Sequence, residues 1–186
     1  MADTLDTILK KYDPKESETI RKAFEFAKNI HEGQKRDSGE EYLVHPVETA
    51  KILADFDMDF ETVSAGILHD VLEDSDLKPE DIEKEFGQNI AFLVQSVTKL
   101  NRVSYSPDAW DRCSDSKRRS EEKGYIENFH KMILATAKDI RVVLIKLADR
   151  LHNLETIETF KGNKERIARE SLEIYAPLAS RLGMGE

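Results

Sequence analysis

At 186 residues the chain has the length of one domain, or of one domain and a small appendage, and it can bury a real core. Its formal net charge of −9 argues against nucleic acid or an anionic membrane surface as the main partner. A small polyanion remains open only if a local positive pocket receives it. Hydrophobic residues at 39% beside charged residues at 35% give the balance of a highly charged, soluble helical protein. The one cysteine, Cys113, excludes an internal disulfide and suits a reducing cytosol. The first residues carry neither the basic nor the apolar region of a leader, and no apolar run approaches the roughly 18 residues of a membrane span.

Thr4 to Tyr12 reads as a short helix packing Leu5, Ile8 and Leu9. Asp13-Pro14-Lys15-Glu16 then has the form of a helix start: a cap, a first-turn proline and an acid three residues on. The helix that follows carries Ile20, Ala23, Phe24, Ala27 and Ile30 on one face and ends near Gly33, with His31 at its surface or half-buried. Gln34 to Val44 is a polar loop with adjacent bases Lys35 and Arg36 and a Ser38-Gly39 turn. His45-Pro46 opens the next helix, so His45 stands at a helix start where a side chain can point into a crevice.

Asp59 caps a helix whose apolar residues Ile67, Leu68, Val71 and Leu72 are interrupted by His69, Asp70, Glu73 and Asp74. On a continuous helix His69 and Glu73 share a face, and so do Asp70 and Asp74. Burying such groups unpaired costs several kcal/mol, so a core helix keeps them only if they are paired, hydrated or bound to a metal. A solvated helix end is the plainer alternative, since Asp74-Ser75-Asp76 has the look of a loop.

Lys78-Pro79 starts a short helix ending at Gly87, and Asn89 to Leu100 forms a long apolar one. The stretch 101–124 is polar, with Trp110, Cys113 and the run Lys117-Arg118-Arg119, and reads as a mobile loop or a lid. Tyr125 to Lys138 returns to a helical pattern. Ile140 to Leu154 is strongly apolar yet carries Lys146, Asp149, Arg150, His152 and Asn153, with Asp149 and Asn153 four apart on one face. Arg166 to Leu182 forms the last helix, with Ile167, Leu172, Tyr175, Leu178 and Leu182 apolar. No alternating strands and no internal repeats occur, so the fold reads as all-α, a bundle of about eight to ten helices.

Four candidate ligands come from three helices: His45, His69, Asp70 and Asp149. Two imidazoles with two carboxylates suit Mn²⁺ or Fe²⁺, and Mg²⁺ less well, leaving positions for water or phosphate. A cation so held lowers the pKa of a water molecule it binds. Glu73 and Asp74 lie one turn on, placed to orient water and move a proton. A single cysteine makes a cysteine-based zinc site impossible, and no Walker loop, GxGxxG or GxSxG motif is present.

The order His45…His69-Asp70…Asp149 resembles that of the HD-type metal-dependent phosphohydrolases. The stretches 36–46, 66–74, 97–100, 127–132, 146–153 and 173–183 resemble, in order, the hydrolase domain of the RelA/SpoT homologues, which remove the 3′-diphosphate of the alarmone (p)ppGpp. The resemblance implies an HD helical bundle over 1–186, the N-terminal part of a longer synthetase/hydrolase whose synthetase domain would follow. It implies a cytoplasmic enzyme of the stringent response. It implies one Mn²⁺, other divalent ions being open, held by His45, His69, Asp70 and Asp149, with Glu73 and Asp74 as the catalytic acidic pair. It places Arg36 against guanine, where a planar guanidinium stacks, Ser38 beside the nucleotide, and Asn153 and Thr156 on the sugar and phosphates. Lys35 and the bases of the 101–124 stretch are the residues available to supply a local positive field. Asp37 departs from the family, which often has a base there, and this removes one expected phosphate contact. Two other readings stay open: an HD phosphohydrolase for another nucleotide, and a nucleotide-sensing module without turnover.

Overall fold

The computed structural model describes residues 2–104 and 138–184. Nine α-helices run through the described residues: α1 Ala2–Leu9, α2 Pro14–Ile30, α3 Val44–Asp55, α4 Phe60–Leu68, α5 Pro79–Phe86, α6 Gln88–Ser104, α7 Ile140–Glu155, α8 Lys164–Glu170 and α9 Ala176–Arg181. A π-helical segment, Ser171–Tyr175, joins the last two. Among the described residues no strand forms. One antiparallel bridge, Lys35 to Glu41, closes the loop between α2 and α3. The all-α expectation is therefore met.

Local signals explain most boundaries. Asp13 accepts from the Lys15 and Glu16 amides while Glu16 Oε2 accepts from the Asp13 amide, a reciprocal cap on α2 that is worth about 1 kcal/mol. Asp59 caps α4 by accepting from both the amide and the hydroxyl of Thr62. Helix α4 is the hub: every residue from Thr62 to Leu68 is buried, and it packs against α2, α3, α6 and α7. Gly66 permits its approach to α3, because a Cβ there would fall 2.6 Å from Leu53 Cδ1. At the far end of α4, Arg141 bonds Asp59, Glu61 and Asp139, tying the start of α7 to the start of α4.

Four expectations are corrected. The regular part of α4 stops at Leu68 and residues 69–76 form turns and bends, so the helix expected to continue through Asp74 is interrupted, although the Asp74 amide still reaches back to the Asp70 carbonyl at 3.1 Å. Residues 101–104, expected in a loop, extend α6. His31 is buried, at 3% exposure, rather than at the surface. The helix expected over Arg166–Leu182 begins at Lys164 and is broken by the π segment. That wider turn shifts the register, so Ile174, Tyr175 and Leu178 are buried while Leu172 stands 73% exposed. The remainder of the 101–124 lid and nearly all of the Tyr125–Lys138 helix lie outside the described residues.

Candidate functional site

Three chain segments carry the polar groups of the core. The first is the entry to α3, where Leu43 caps without a side-chain bond and Pro46 sits in the first turn, turning the buried His45 inward. The second is the end of α4, where His69 is the C-cap. The third is α7, whose face at three- and four-residue spacing presents Lys146, Asp149, His152 and Asn153.

His45, His69 and Asp149, all buried, each offer a ligand atom within 4.8 Å of the others. His69 Nδ1 donates to the Gly66 carbonyl at 2.8 Å, which turns Nε2 into the cluster. That Nε2 is buried and makes no hydrogen bond among the described residues, although Asp70 Oδ2 is 3.2 Å away. His45 Nε2 lies 3.2 Å from Asp149 Oδ1. Asp70 therefore joins the group from its edge, through His69. The turn after Leu68 lets these sequence neighbours converge: the Glu73 and Asp74 amides both donate to the Asp70 carbonyl, at 2.9 and 3.1 Å. A buried imidazole nitrogen without a hydrogen bond, facing carboxylates, is what a divalent cation would complete. The donor set fits one.

The electrostatics agree with that fit. Burial opposes the charge of His69, but Asp70 and then Asp149 overcome it and lift its pKa to about 9. Burial also opposes ionisation of Asp70 and Asp149. His69 holds Asp70 below the usual carboxylate range, and Lys146 with His45 does the same for Asp149. His45 is pushed down by burial, which the Asp149 contact only partly offsets. The cluster thus draws positive charge into itself. Asp149 is also held from two other sides: Lys146 Nζ donates to Oδ2 and Asn153 Nδ2 donates to Oδ1, the latter at 2.6 Å.

The remaining expected residues divide. Arg36, Asn153 and Thr156 come together: Arg36 donates to Asn153 Oδ1 at 2.6 Å and to Thr156 Oγ1 at 3.4 Å. Asn153 thereby bridges Arg36 and Asp149. Asp37, the departure noted above, accepts from the Lys161 amide at 3.1 Å and ties this loop to the segment after α7. Glu73 is exposed. Asp74 is exposed as well, its side chain 33% so, and lies 3.7 Å from His31 Nδ1; partial burial and the neighbouring Asp70 raise its pKa. Lys35 and Ser38 are exposed in the 34–43 loop. The Ser38 hydroxyl donates to Glu40 at 3.2 Å, so the contacts described for these two stay within the loop.

Four contributors were not assigned from sequence. Tyr42 donates its hydroxyl to Asp70 Oδ2 at 2.8 Å, and burial and Asp70 keep that hydroxyl protonated. His31 stacks on the Tyr42 ring, centroids 4.7 Å apart. His152 Nδ1 sits 2.8 Å from His45 Nδ1; burial, His45 and Arg36 hold its pKa down to about 4. Lys146 and His152 lie three residues to either side of Asp149, and that spacing was the available signal.

Fold and cluster are those of a helical domain with a candidate His–Asp metal site. The chain belongs to the HD domain family, whose pattern it matches over residues 23–185. It is 44% identical over 185 residues to the guanosine-3′,5′-bis(diphosphate) 3′-pyrophosphohydrolase of Vibrio cholerae serotype O1, covering 98% of this chain and 24% of that protein. It is 44% identical over 184 residues, with the same two coverages, to the bifunctional (p)ppGpp synthase/hydrolase SpoT of Escherichia coli K12. These are proteins of the RelA/SpoT kind that the motifs imply, and the chain spans about a quarter of their length. A solved structure described as a metazoan ortholog of SpoT that hydrolyses ppGpp superposes with a TM-score of 0.57 at 27% identity, covering 83% of this chain and 80% of that one.

Proposed function

We propose that the chain hydrolyses the 3′-diphosphate ester of (p)ppGpp, releasing pyrophosphate and leaving GDP or GTP, with one Mn²⁺ held by His45, His69, Asp70 and Asp149. The supporting observation is the buried His69 Nε2, which has no hydrogen bond and faces the carboxylates of two other ligands. The near full-length likeness to proteins named for this reaction supports the substrate. When bound, the cation supplies Lewis acidity, lowering the pKa of a water molecule and offsetting phosphate charge.

The chain's own groups do the rest. Tyr42 fixes Asp70; Lys146 and Asn153 fix Asp149. Asp74, its pKa raised by burial and by Asp70, holds a proton more readily than an ordinary carboxylate, and with Glu73 forms the acidic pair that orients water and passes a proton to the leaving group. Arg36 offers its planar face to guanine while Asn153 and Thr156 hold its edge, and these two line the approach of sugar and phosphate. Lys35 adds positive charge at the rim, and Ser38 meets the nucleotide from the same loop. In this reading residues 1–186 are the hydrolase part of a cytosolic synthetase/hydrolase. Among the described residues no helix is long and apolar enough to cross a membrane.

The test is pyrophosphate release from ppGpp by the purified chain with Mn²⁺, with and without EDTA. Release that EDTA stops, and that Asp70→Ala abolishes, is the expected result. Tight binding of ppGpp without release by the unmutated chain would refute hydrolysis and favour a sensing module. Equal release from an adenosine analogue would refute guanosine specificity.

A further inference from the structure

We propose that His152 is a positioning residue that sets the tautomer of His45, and that the site's affinity for a divalent cation depends on it. The proposal rests on the reading that the cluster holds a cation, but not on the identity of the substrate.

The two Nδ1 atoms face each other at 2.8 Å, with both rings buried. At that separation one nitrogen must carry the proton and the other the lone pair, because two lone pairs or two N–H groups would repel. His45 has its other nitrogen, Nε2, in the cluster, 3.2 Å from Asp149 Oδ1. A ligating Nε2 must present a lone pair, so the His45 proton must be on Nδ1. His152 Nδ1 is the acceptor placed to receive it. His69 solves the same problem differently, by donating Nδ1–H to the Gly66 carbonyl at 2.8 Å. A backbone carbonyl accepts only, whereas an imidazole can accept or donate. His45 therefore has a second arrangement: Nε2–H donates to Asp149 while His152 donates to Nδ1. The first arrangement is competent for a cation; the second closes the cluster upon itself. His152 is the group that lets His45 pass between them.

His152 is well fixed for this role. It lies on α7 three residues after Asp149, and its ring runs beside that of His45 with centroids 5.0 Å apart. Its own carbonyl accepts from the Thr156 hydroxyl at 2.9 Å, so the partner of Arg36 is attached to the same turn. Removing the hydrogen-bond partner of a ligating histidine typically lowers metal affinity about 10–100-fold.

The experiment is titration of the full chain with Mn²⁺ alone, followed by electron paramagnetic resonance, for the unmutated chain, His152→Ala and His152→Asn. Asn can place an acceptor oxygen where Nδ1 stands. Expected are a 10–100-fold loss of affinity in His152→Ala and recovery to within a few-fold in His152→Asn; both variants lose the buried ring, so similar urea midpoints in EDTA for the two show that the affinity difference between them is not one of folding. Equal affinity in all three would overturn the proposal, as would an equal loss in both variants. Failure of the unmutated chain to bind Mn²⁺ would instead overturn the cation reading. Should His152→Ala fail to fold, long-range ¹H–¹⁵N spectra of the unmutated chain loaded with Zn²⁺ decide the matter: the His45 proton is expected on Nδ1, and its absence there overturns the proposal.

Discussion

Lys146→Met separates the charge balance of the site from its packing. The Lys146 and Asp149 side chains are only 12% and 5% exposed and bond directly to one another. Burial alone would discharge the lysine, but Asp149, with Tyr175, raises its pKa instead. Methionine keeps much of the aliphatic stem and removes the charge. Taking one partner from a buried pair typically costs about 3–5 kcal/mol, because the other charge stays buried. Asp149 keeps the Asn153 amide at 2.6 Å and the His45 ring at 3.2 Å, so the lower end, about 3 kcal/mol, is expected. For a chain of this length each kcal/mol moves Tm by about 2–4 °C, giving a fall of roughly 6–12 °C in EDTA. A bound dication would replace the missing charge, so the fall should shrink at saturating Mn²⁺. By linkage, every 1.4 kcal/mol so recovered appears as about a tenfold relative gain in Mn²⁺ affinity. Thermal and urea melts in EDTA and in Mn²⁺ measure both quantities. An equal loss under both conditions, with Mn²⁺ bound, would refute the idea that lysine and cation balance the same carboxylate.

Gly66→Ala would put a methyl group 2.6 Å from Leu53 Cδ1 and 3.6 Å from Ala50 Cα, where neither neighbour has solvent to move into. Overpacking of this kind costs about 1–3 kcal/mol, offset by up to about 1 kcal/mol of helix propensity. A lower urea midpoint is expected, and an unchanged one would mean that Leu53 repacks freely. Under the proposed function Arg36→Ala should weaken ppGpp binding by about 0.5–2 kcal/mol, roughly 2- to 30-fold; calorimetry showing no change for ppGpp would refute the stacking role. Arg141 holds the Asp139 carboxyl below the usual carboxylate range, chiefly by hydrogen bonding. A depressed carboxylate stabilises above its unfolded pKa and loses that contribution as pH falls through and below it, here below about 4. The stability difference between the unmutated chain and Arg141→Gln, measured by urea melts, should therefore be larger at pH 6 than at pH 3; an equal difference would show that the Arg141–Asp139 contact does not act through charge.

What sequence made legible was cost. His69 and Asp149 stood out because each interrupts an apolar run, where polar groups need a partner, whereas His45 was marked only by its place at a helix start. Their proximity in the structure follows from that requirement. Capping signals placed the starts of α2, α4 and α5 because those signals are local. The end of α4 was not legible in the same way. Val71 and Leu72 are buried as expected, but on turns rather than on helix; periodicity records burial and says little about where backbone hydrogen bonding changes. The π segment at Ser171–Tyr175 is a one-residue shift in register without a composition signal, and it inverted the expectation for Leu172. Tyr42 was given no role and His31 was set at the surface or half-buried, because a loop tyrosine and a helix-end histidine acquire meaning only once Asp70 and Asp74 are seen beside them.

The acidity of the chain and a polyanionic substrate are compatible because the charges are segregated. The formal net charge of −9 belongs to the whole chain. Within the cluster, Asp70 and Asp149 are opposed by Lys146 and by the proton that the two carboxylates draw onto His69. A dication taking that proton's place would leave the cluster net positive. Arg36 adds a further charge at the edge, and among the described residues two of its five donors are engaged, by Asn153 and Thr156. Because the ammonium of Lys146 is buried against Asp149, solvent screens it less than a surface lysine. Under the proposed function, a diphosphate arriving at this end of α7 would meet these positive charges, although the chain as a whole carries a formal charge of −9. That arrangement favours a compact polyanion over a nucleic acid backbone, whose charges extend across tens of ångströms and would meet the acidic surface as well.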